Sequence, residues 1–267
     1  MNPLAQRGPR QPEESKLAGS DRVLAILRSL GDYPEGVGLE QLARDVGVPK
    51  SSLHRALASL CRAGFAEHDE RGSYRLGLEL VRLAFAYYEQ LDRRQVVEPL
   101  LATLAARFGE TAHYAELDGA EVVYLAKRTP PGRGAQMTSI VGGRNPAHCT
   151  GLGKALIAYE LPDDAAVAAY VDVHGPLVQR TKTTRFDTAT LAVDLALVRS
   201  RGYALDDEES EEGINCIAFP LFLDQPSHPT GSVSVAALSH RTGLAQLEEA
   251  APEIRGLIES ALGAVTR

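Results

Sequence analysis

No window of the 267-residue chain approaches the roughly 18 consecutive apolar residues that a membrane-crossing helix needs. Residues 1–19 are polar and lack the apolar core of a secretory signal peptide. Cysteine is scarce: three residues, an odd number over a long chain, argue against a disulfide framework and fit a reducing, cytoplasmic setting. Internal repeats are missing too. With 44% apolar and 24% charged residues, the composition excludes a disordered or fibrous chain. The chain also lacks an excess of positive charge, since 28 Lys and Arg face 35 Asp and Glu, a net charge of -7. Taken over the whole chain, that balance argues against a nucleic-acid partner. The distribution of the charge points the other way. Residues 1–93 hold 13 of each sign, whereas residues 94–267 hold 15 basic and 22 acidic residues and carry the whole deficit. A small neutral part precedes a larger acidic one, which suggests two domains with separate tasks.

Met1–Ala18 is rich in Pro, Gln, Glu and Arg and is expected to be a disordered leader, residues 1–18. From Ser20, expected to be an N-cap, Val23, Ile26, Leu27 and Leu30 follow the spacing of one buried helix face. A glycine-rich break at Gly31–Gly38 leads to a second helix with Leu39, Leu42, Ala43 and Val46, which stops at Gly47. A third, Pro49–Gly64, buries Leu53, Ala56, Leu57 and Leu60. Phe65–His68 and Ser73–Leu76, joined by Asp69-Glu70-Arg71-Gly72, predict a hairpin. Gly77–Phe108 is helical, with Pro99 expected in the first turn of a new helix. Beyond it, strands are predicted at Thr111–Leu117, Glu121–Lys127, Gln136–Val141, Tyr203–Asp207, Ile214–Phe222 and Ser232–Leu238. Helices are predicted at Gly151–Glu160, Asp163–Val171, Thr188–Arg201 and Leu244–Leu262. Strands and helices in blocks indicate an α+β fold. The expected division is 19–77, a linker helix 78–94, and 95–267.

Leu39–Leu57 has the features of a helix-turn-helix: a small Ala43 at the crossing, Gly47 for a tight turn, and Leu53 reaching back into the shared core. The opposite face of the third helix presents Lys50, Ser51, Ser52, His54, Arg55 and Arg62 with no acid in Pro49–Gly64. These are donors suited to phosphates and base edges in a major groove. A basic face alone is common on solvated helices. The combination of helix, Ala-x3-Gly turn, acid-free helix and hairpin is more specific, and it makes the hairpin a wing with Arg71 at its tip. The competing function is a small-molecule hydrolase with an appended winged helix, and the acid-free face argues against it.

With these segments in hand the chain resembles the IclR family of bacterial transcriptional regulators over about residues 20–262. The resemblance rests on Gly47–Leu60, Gly72–Leu78, Pro146–Ala158 and Gly202–Phe222, where Gly202, Asp206, Glu209 and Cys216 fall at the family's signature spacing. Family signatures end with Asp or Asn directly after the aromatic residue. Here Leu223 takes that place and the acid follows at Asp224, which implies a longer last turn. The resemblance implies a winged helix-turn-helix joined by a helix to a GAF-like effector-binding domain. It further implies dimers or tetramers on palindromic double-stranded operators, governed by a small metabolite, often a carboxylic acid. Both repressors and activators occur, with repression the expected sign. No cofactor, metal, membrane contact or catalysis is implied.

Thr150-Gly151-Leu152-Gly153-Lys154 opens a helix, and two readings of it stand side by side. One is a carboxylate site on free N-terminal amides; the other is a Thr-capped helix with glycine at a tight bend. The resemblance favours the first, because its pocket residues match Asn145, Gly151, Leu152, Asp206, Ile214, Cys216 and Ser234. Asn145 makes the mouth more polar, and Ala236 stands where the family can have Ser, which removes a hydroxyl. An effector bulkier or less oxygen-rich than a two-carbon acid is expected. Within the acidic run Asp206–Glu212 a solvated loop is expected, Asp206 excepted, since it stands at a strand end where it can point inward. His148, Cys149 and Cys216 raise a zinc site or a Cys–His nucleophile, but neither has a spacing signature. Buried thiols behaving as small apolar groups is the expected role.

Overall fold

A computed structural model describes residues 19–89, 93–130 and 137–265. The chain divides into two units, Met1–Leu91 and Asp92–Arg267. The expected leader 1–18 lies outside the described residues.

In the first unit α1 (Gly19–Leu30), α2 (Leu39–Val46) and α3 (Lys50–Arg62) each turn one apolar stripe onto a shared core. Ile26, Leu30, Leu42, Ala43, Leu53, Leu57 and Leu60 are buried there. Ser20 stands within the first turn of α1 and does not cap it. Gly47 ends α2 at φ +69°, which lets its amide reach Arg44 O and that of Val48 reach Ala43 O. β2 (Ala66–His68) and β3 (Ser73–Leu76) form the expected hairpin. Its tip is fixed by Asp69 Oδ1, which accepts the amides of Arg71 at 2.9 Å and Ser73 at 2.8 Å. A two-residue strand β1 (Val37–Gly38), placed in the expected glycine-rich break, pairs with the other edge of β3. The unit continues into α4 (Leu78–Glu89).

The second unit opens with α5 (Arg93–Phe108), and here expectation and structure differ. Pro99 lies inside the helix, not in its first turn. An internal proline costs about 3 kcal/mol. The buried stripe of Val96, Val97, Leu100, Leu101 and Leu104 spans the proline and outweighs it.

Next come β4 (Thr111–Asp118), β5 (Glu121–Arg128) and β6 (Arg144–Pro146), then α6 (Gly151–Glu160), α7 (Asp164–His174) and α8 (Thr188–Arg201). β7 (Ala204–Asp207), β8 (Ile214–Leu221) and β9 (Gly231–Leu238) complete an antiparallel sheet of order β6-β5-β4-β9-β8-β7. Pleating divides each strand between two cores: Cys216 and Ala218 face α6–α8, whereas Ile217 and Phe219 face α5 and the C-terminal helices. An α+β fold results, its sheet covered on both faces.

The predicted strand Gln136–Val141 is not one. Gln136 lies outside the described residues, and the rest is irregular until Gly142 and Gly143 bond the backbone of Tyr124 and start β6. The single helix expected over Leu244–Leu262 is two, α9 (Leu244–Glu249) and α10 (Ala251–Val265), because Pro252 has no amide to continue the first. The β8–β9 loop is long, as the displaced acid implied, and Thr230 Oγ1 donates across it to Asp224 Oδ2 at 3.2 Å. No helix among the described residues is long and apolar enough to cross a membrane.

Candidate functional site

On α3, with Leu53, Leu57 and Leu60 turned inward, helical spacing leaves Ser51, His54, Arg55 and Arg62 exposed on the far side. Ser52 is half-buried at the flank of that face and does not belong to it. Lys50, at the helix start, forms an exposed ion pair with Glu40 of α2. Arg62 donates to Ser59 Oγ at 2.9 Å. The side chains of Arg55 and Arg71 have no ion-pair partner among the described residues, and Arg71 is exposed at the wing tip. Free guanidinium groups are what a phosphate or a guanine edge takes up.

A cavity of about 50 Å³ opens on the sheet face that carries α6. All seven pocket residues named from sequence line it: Asn145, Gly151, Leu152, Asp206, Ile214, Cys216 and Ser234. Strand register explains the convergence, since Asp206 pairs with Cys216, Cys216 with Ala236, and Ser234 with His113. Above this floor Thr150 caps α6 by accepting the Gly153 amide at 3.0 Å. That leaves the amides of Gly151 and Leu152 without an acceptor among the described residues. The hydroxyl of Ser234, buried beside the Cys216 thiol, has no partner at hydrogen-bond distance. The two amides and the hydroxyl are donors at one cavity, the hydroxyl with only the Cys216 sulfur beside it. The Thr150 cap and the close packing of Gly151 and Gly153 are those of a Thr-capped helix with glycine at a tight bend.

Residues missed from sequence complete the lining. Burial pushes the His113 imidazole down to about 3, so it is neutral, and its Nε2 lies 2.8 Å from Ser139 Oγ. The His113 ring meets that of Tyr124 edge-on at 5.5 Å, and Asn145 Nδ2 donates to the Tyr124 hydroxyl at 3.2 Å. Thr138 Oγ1 donates to Glu211 on the opposite rim, so the segment around Thr138 bridges the mouth.

The acidic run corrects a second expectation. Asp206 does face the cavity, with Oδ1 accepting the amides of Glu209 at 2.8 Å and Ser210 at 3.3 Å. Glu209, however, is not a solvated loop residue. It is fully buried and accepts from Lys154 Nζ at 2.6 Å, as does Asp194 from α8. Arg185 adds a second cation on Glu209, and the hydroxyl of Thr184 holds the Glu209 carbonyl at 2.7 Å. The cluster ties α6, α8 and the β7–β8 loop together behind the cavity. Lys154 was legible in principle: α6 is buried on every side from Gly151 to Ala158, so the one charge in that stretch needs partners.

The cysteine readings resolve chemically. Burial pushes the Cys149 thiol up to about 12 and raises that of Cys216 as well. His148 Nε2 is occupied by the Val178 carbonyl at 3.1 Å. A thiol that burial keeps protonated is a poor nucleophile. Among the described residues no three His, Cys, Asp or Glu side chains gather to hold a metal ion.

Residues 85–260 match the family described as bacterial transcriptional regulator IclR, C-terminal, and residues 20–70 match the IclR helix-turn-helix domain. The HTH-type transcriptional regulator XynR of Escherichia coli K12 is 34% identical over 235 residues, 85% of this chain and 88% of that protein. The glycerol operon regulatory protein of Streptomyces coelicolor is 32% identical over 248 residues, 92% of this chain and 94% of that one. The crystal structure of an IclR homologue from Microbacterium hydrocarbonoxydans, complexed with 4-hydroxybenzoate, shares the fold. Its TM-score is 0.76 at 23% identity, covering 92% of this chain and all of that one.

Proposed function

Since the chain belongs to the IclR family of bacterial transcriptional regulators, we propose that its first unit binds a palindromic operator and its second unit reads a small carboxylic acid. Repression relieved or enforced by that acid is the regulatory output. Residues 19–77 are the DNA-binding part, 78–94 the linker and 95–267 the effector-binding part. Arg55 and Arg62 of α3, with Ser51 and His54, face the major groove, Lys50 exchanges Glu40 for a phosphate, and Arg71 reaches the backbone from the wing. Palindromic sites require a two-fold protein. The exposed Leu78, Val81, Phe85 and Tyr87 of α4 support a homodimer, itself able to pair into a tetramer.

The observation that carries the effector reading is the set of donors at one cavity, the Gly151 and Leu152 amides at the start of α6 and the buried Ser234 hydroxyl. An α-helix N-terminus favours an anion, and a carboxylate supplies acceptors for all three. The rings of His113 and Tyr124 add an apolar wall. The neighbour that holds 4-hydroxybenzoate supports an acid larger than two carbons. Thermal unfolding should therefore shift upward with 4-hydroxybenzoate or similar organic acids. A shift with glyoxylate and none with the larger acids overturns that size assignment.

Selection of genomic fragments by the purified protein, followed by gel shift, tests the DNA reading. Arg55→Ala is expected to weaken retardation. If Arg55 meets a phosphate, the log–log salt slope falls by about 0.9 with sequence preference intact. If it reads guanine, discrimination at one base pair drops by about 1–3 kcal/mol. No change in either removes Arg55 from the interface.

A further inference from the structure

The cavity that offers donors to an anion also contains an acid. Asp206 is buried, and its Cβ lies 3.6 Å from where a side chain on Gly151 would begin, so it stands directly beside the first amide of α6. One of its oxygens is committed to the Glu209 and Ser210 amides. The cations nearby are bonded elsewhere: Arg180 donates to the Ser210 carbonyl at 3.0 Å, and Lys127 of β5, which faces His113 and Glu211, donates to the Ser139 carbonyl at 2.6 Å. Lys154 of α6 is shared between Asp194 and Glu209; Glu209 and Glu211 of the adjoining loop are acids. Cys216 of β8, Cys149 of the turn before α6 and Tyr124 of β5 are neutral, their ionisation opposed by burial. A carboxylate bound at the α6 N-terminus would thus meet a second carboxylate in a buried site whose nearby cations are already bonded to other groups. Two such groups cannot both stay ionised there.

We propose that Asp206 binds the effector as a carboxylic acid, sharing one proton with the effector's carboxylate, so that effector binding takes up a proton from solution. This rests on the carboxylate reading above and adds its regulation. The balance is simple: ionised Asp206 takes one proton from a buffer acid or hydronium ion, whose bond to that proton breaks as the Asp206 O–H bond forms, and this O–H donates to the effector oxygen with no other bond made or broken. The free protein is poised for it, because burial, reinforced by Glu209 and opposed by Lys154, lifts the Asp206 carboxyl to about 7. Below that pH the proton is already present and binding costs none. Above it, each further pH unit weakens binding up to about tenfold. The regulator would respond to cytoplasmic acidity and acid concentration together.

Calorimetric titration of the full chain with 4-hydroxybenzoate, pyruvate, benzoate and glyoxylate between pH 6 and 8.5 tests this. Two buffers of unequal ionisation enthalpy are needed at each pH. The expected result is uptake approaching one proton per acid at pH 8.5, little at pH 6, and a dissociation constant rising about 30-fold between them. Asp206→Asn, whose amide keeps an oxygen for the Glu209 N–H but cannot titrate, should bind with little pH dependence and no proton uptake. The wild-type proton count stands without that variant should it fail to fold. Binding that is flat in pH with no proton uptake overturns the proposal and leaves the carboxylate reading intact. Failure of every acid to bind at any pH overturns both.

Discussion

Replacing Lys154 with Met is expected to cost the second unit about 3–5 kcal/mol of unfolding free energy, the range for stranding the partners of a buried ion pair. The Lys154 ammonium is wholly buried and lies 2.6 Å from both Asp194 Oδ2 and Glu209 Oε1, themselves 8% and 0% exposed. Without it two carboxylates share Arg185, which is 39% exposed and itself partly solvated. Glu209 Oε2 already has no hydrogen-bond partner, so the site has no spare donor to offer. Urea unfolding should show a lower midpoint at an unchanged slope. The deficit should shrink on acidification, because the orphaned carboxylates can then neutralise themselves by taking up protons. The triple variant with Asp194→Asn and Glu209→Gln should recover much of the loss, since no charge is left unpaired. A deficit below about 1 kcal/mol for Lys154→Met would mean that water enters and screens the cluster, and the burial argument would fail.

How much of this was legible depended on sequence distance. The winged helix is built from local signals: apolar residues spaced three and four apart, Gly47 at a left-handed cap, and Asp69 folding the wing tip onto its own backbone. Each is complete within a few residues, and the helix-turn-helix and hairpin could be placed from them. The Lys154 cluster joins positions 40 and 55 residues apart. Taken singly, its members resemble surface charges, and Glu209 was hidden among neighbouring acids. His113, Tyr124 and Ser139 reach the cavity only through strand register and a loop contact, which periodicity does not encode. The misplaced start of α5 has another origin. The local proline penalty predicts a helix start at Pro99, and the buried stripe of five residues outweighs it.

Gly153→Ala should be nearly as damaging as the loss of Lys154, against the usual sign for a glycine in a helix. Alanine ordinarily gains about 1 kcal/mol there from helix propensity. Here a Cβ would lie 2.3 Å from both Cα and O of Ala147 and 2.6 Å from its carbonyl carbon. All three atoms are backbone of the turn that leads to Thr150 at the cavity, so no side-chain rotation relieves the clash. Overpacking of this kind costs about 1–3 kcal/mol when neighbours can yield, and more when they cannot. The expected loss is about 3 kcal/mol or above, read from urea unfolding of the second unit. Gly151→Ala separates the two duties of the Gly-x-Gly pair. Its Cβ would meet Cys216 Sγ at 3.0 Å and Ala218 Cβ at 3.4 Å, tight contacts with side chains and not with backbone. That variant should fold with a loss of about 1 kcal/mol yet lose its thermal shift with organic acids, because the new methyl stands at the mouth of the free amides. If Gly151→Ala instead unfolds like Gly153→Ala and no variant uncouples folding from acid binding, both glycines serve packing alone. The carboxylate site would then have to be sought away from the start of α6.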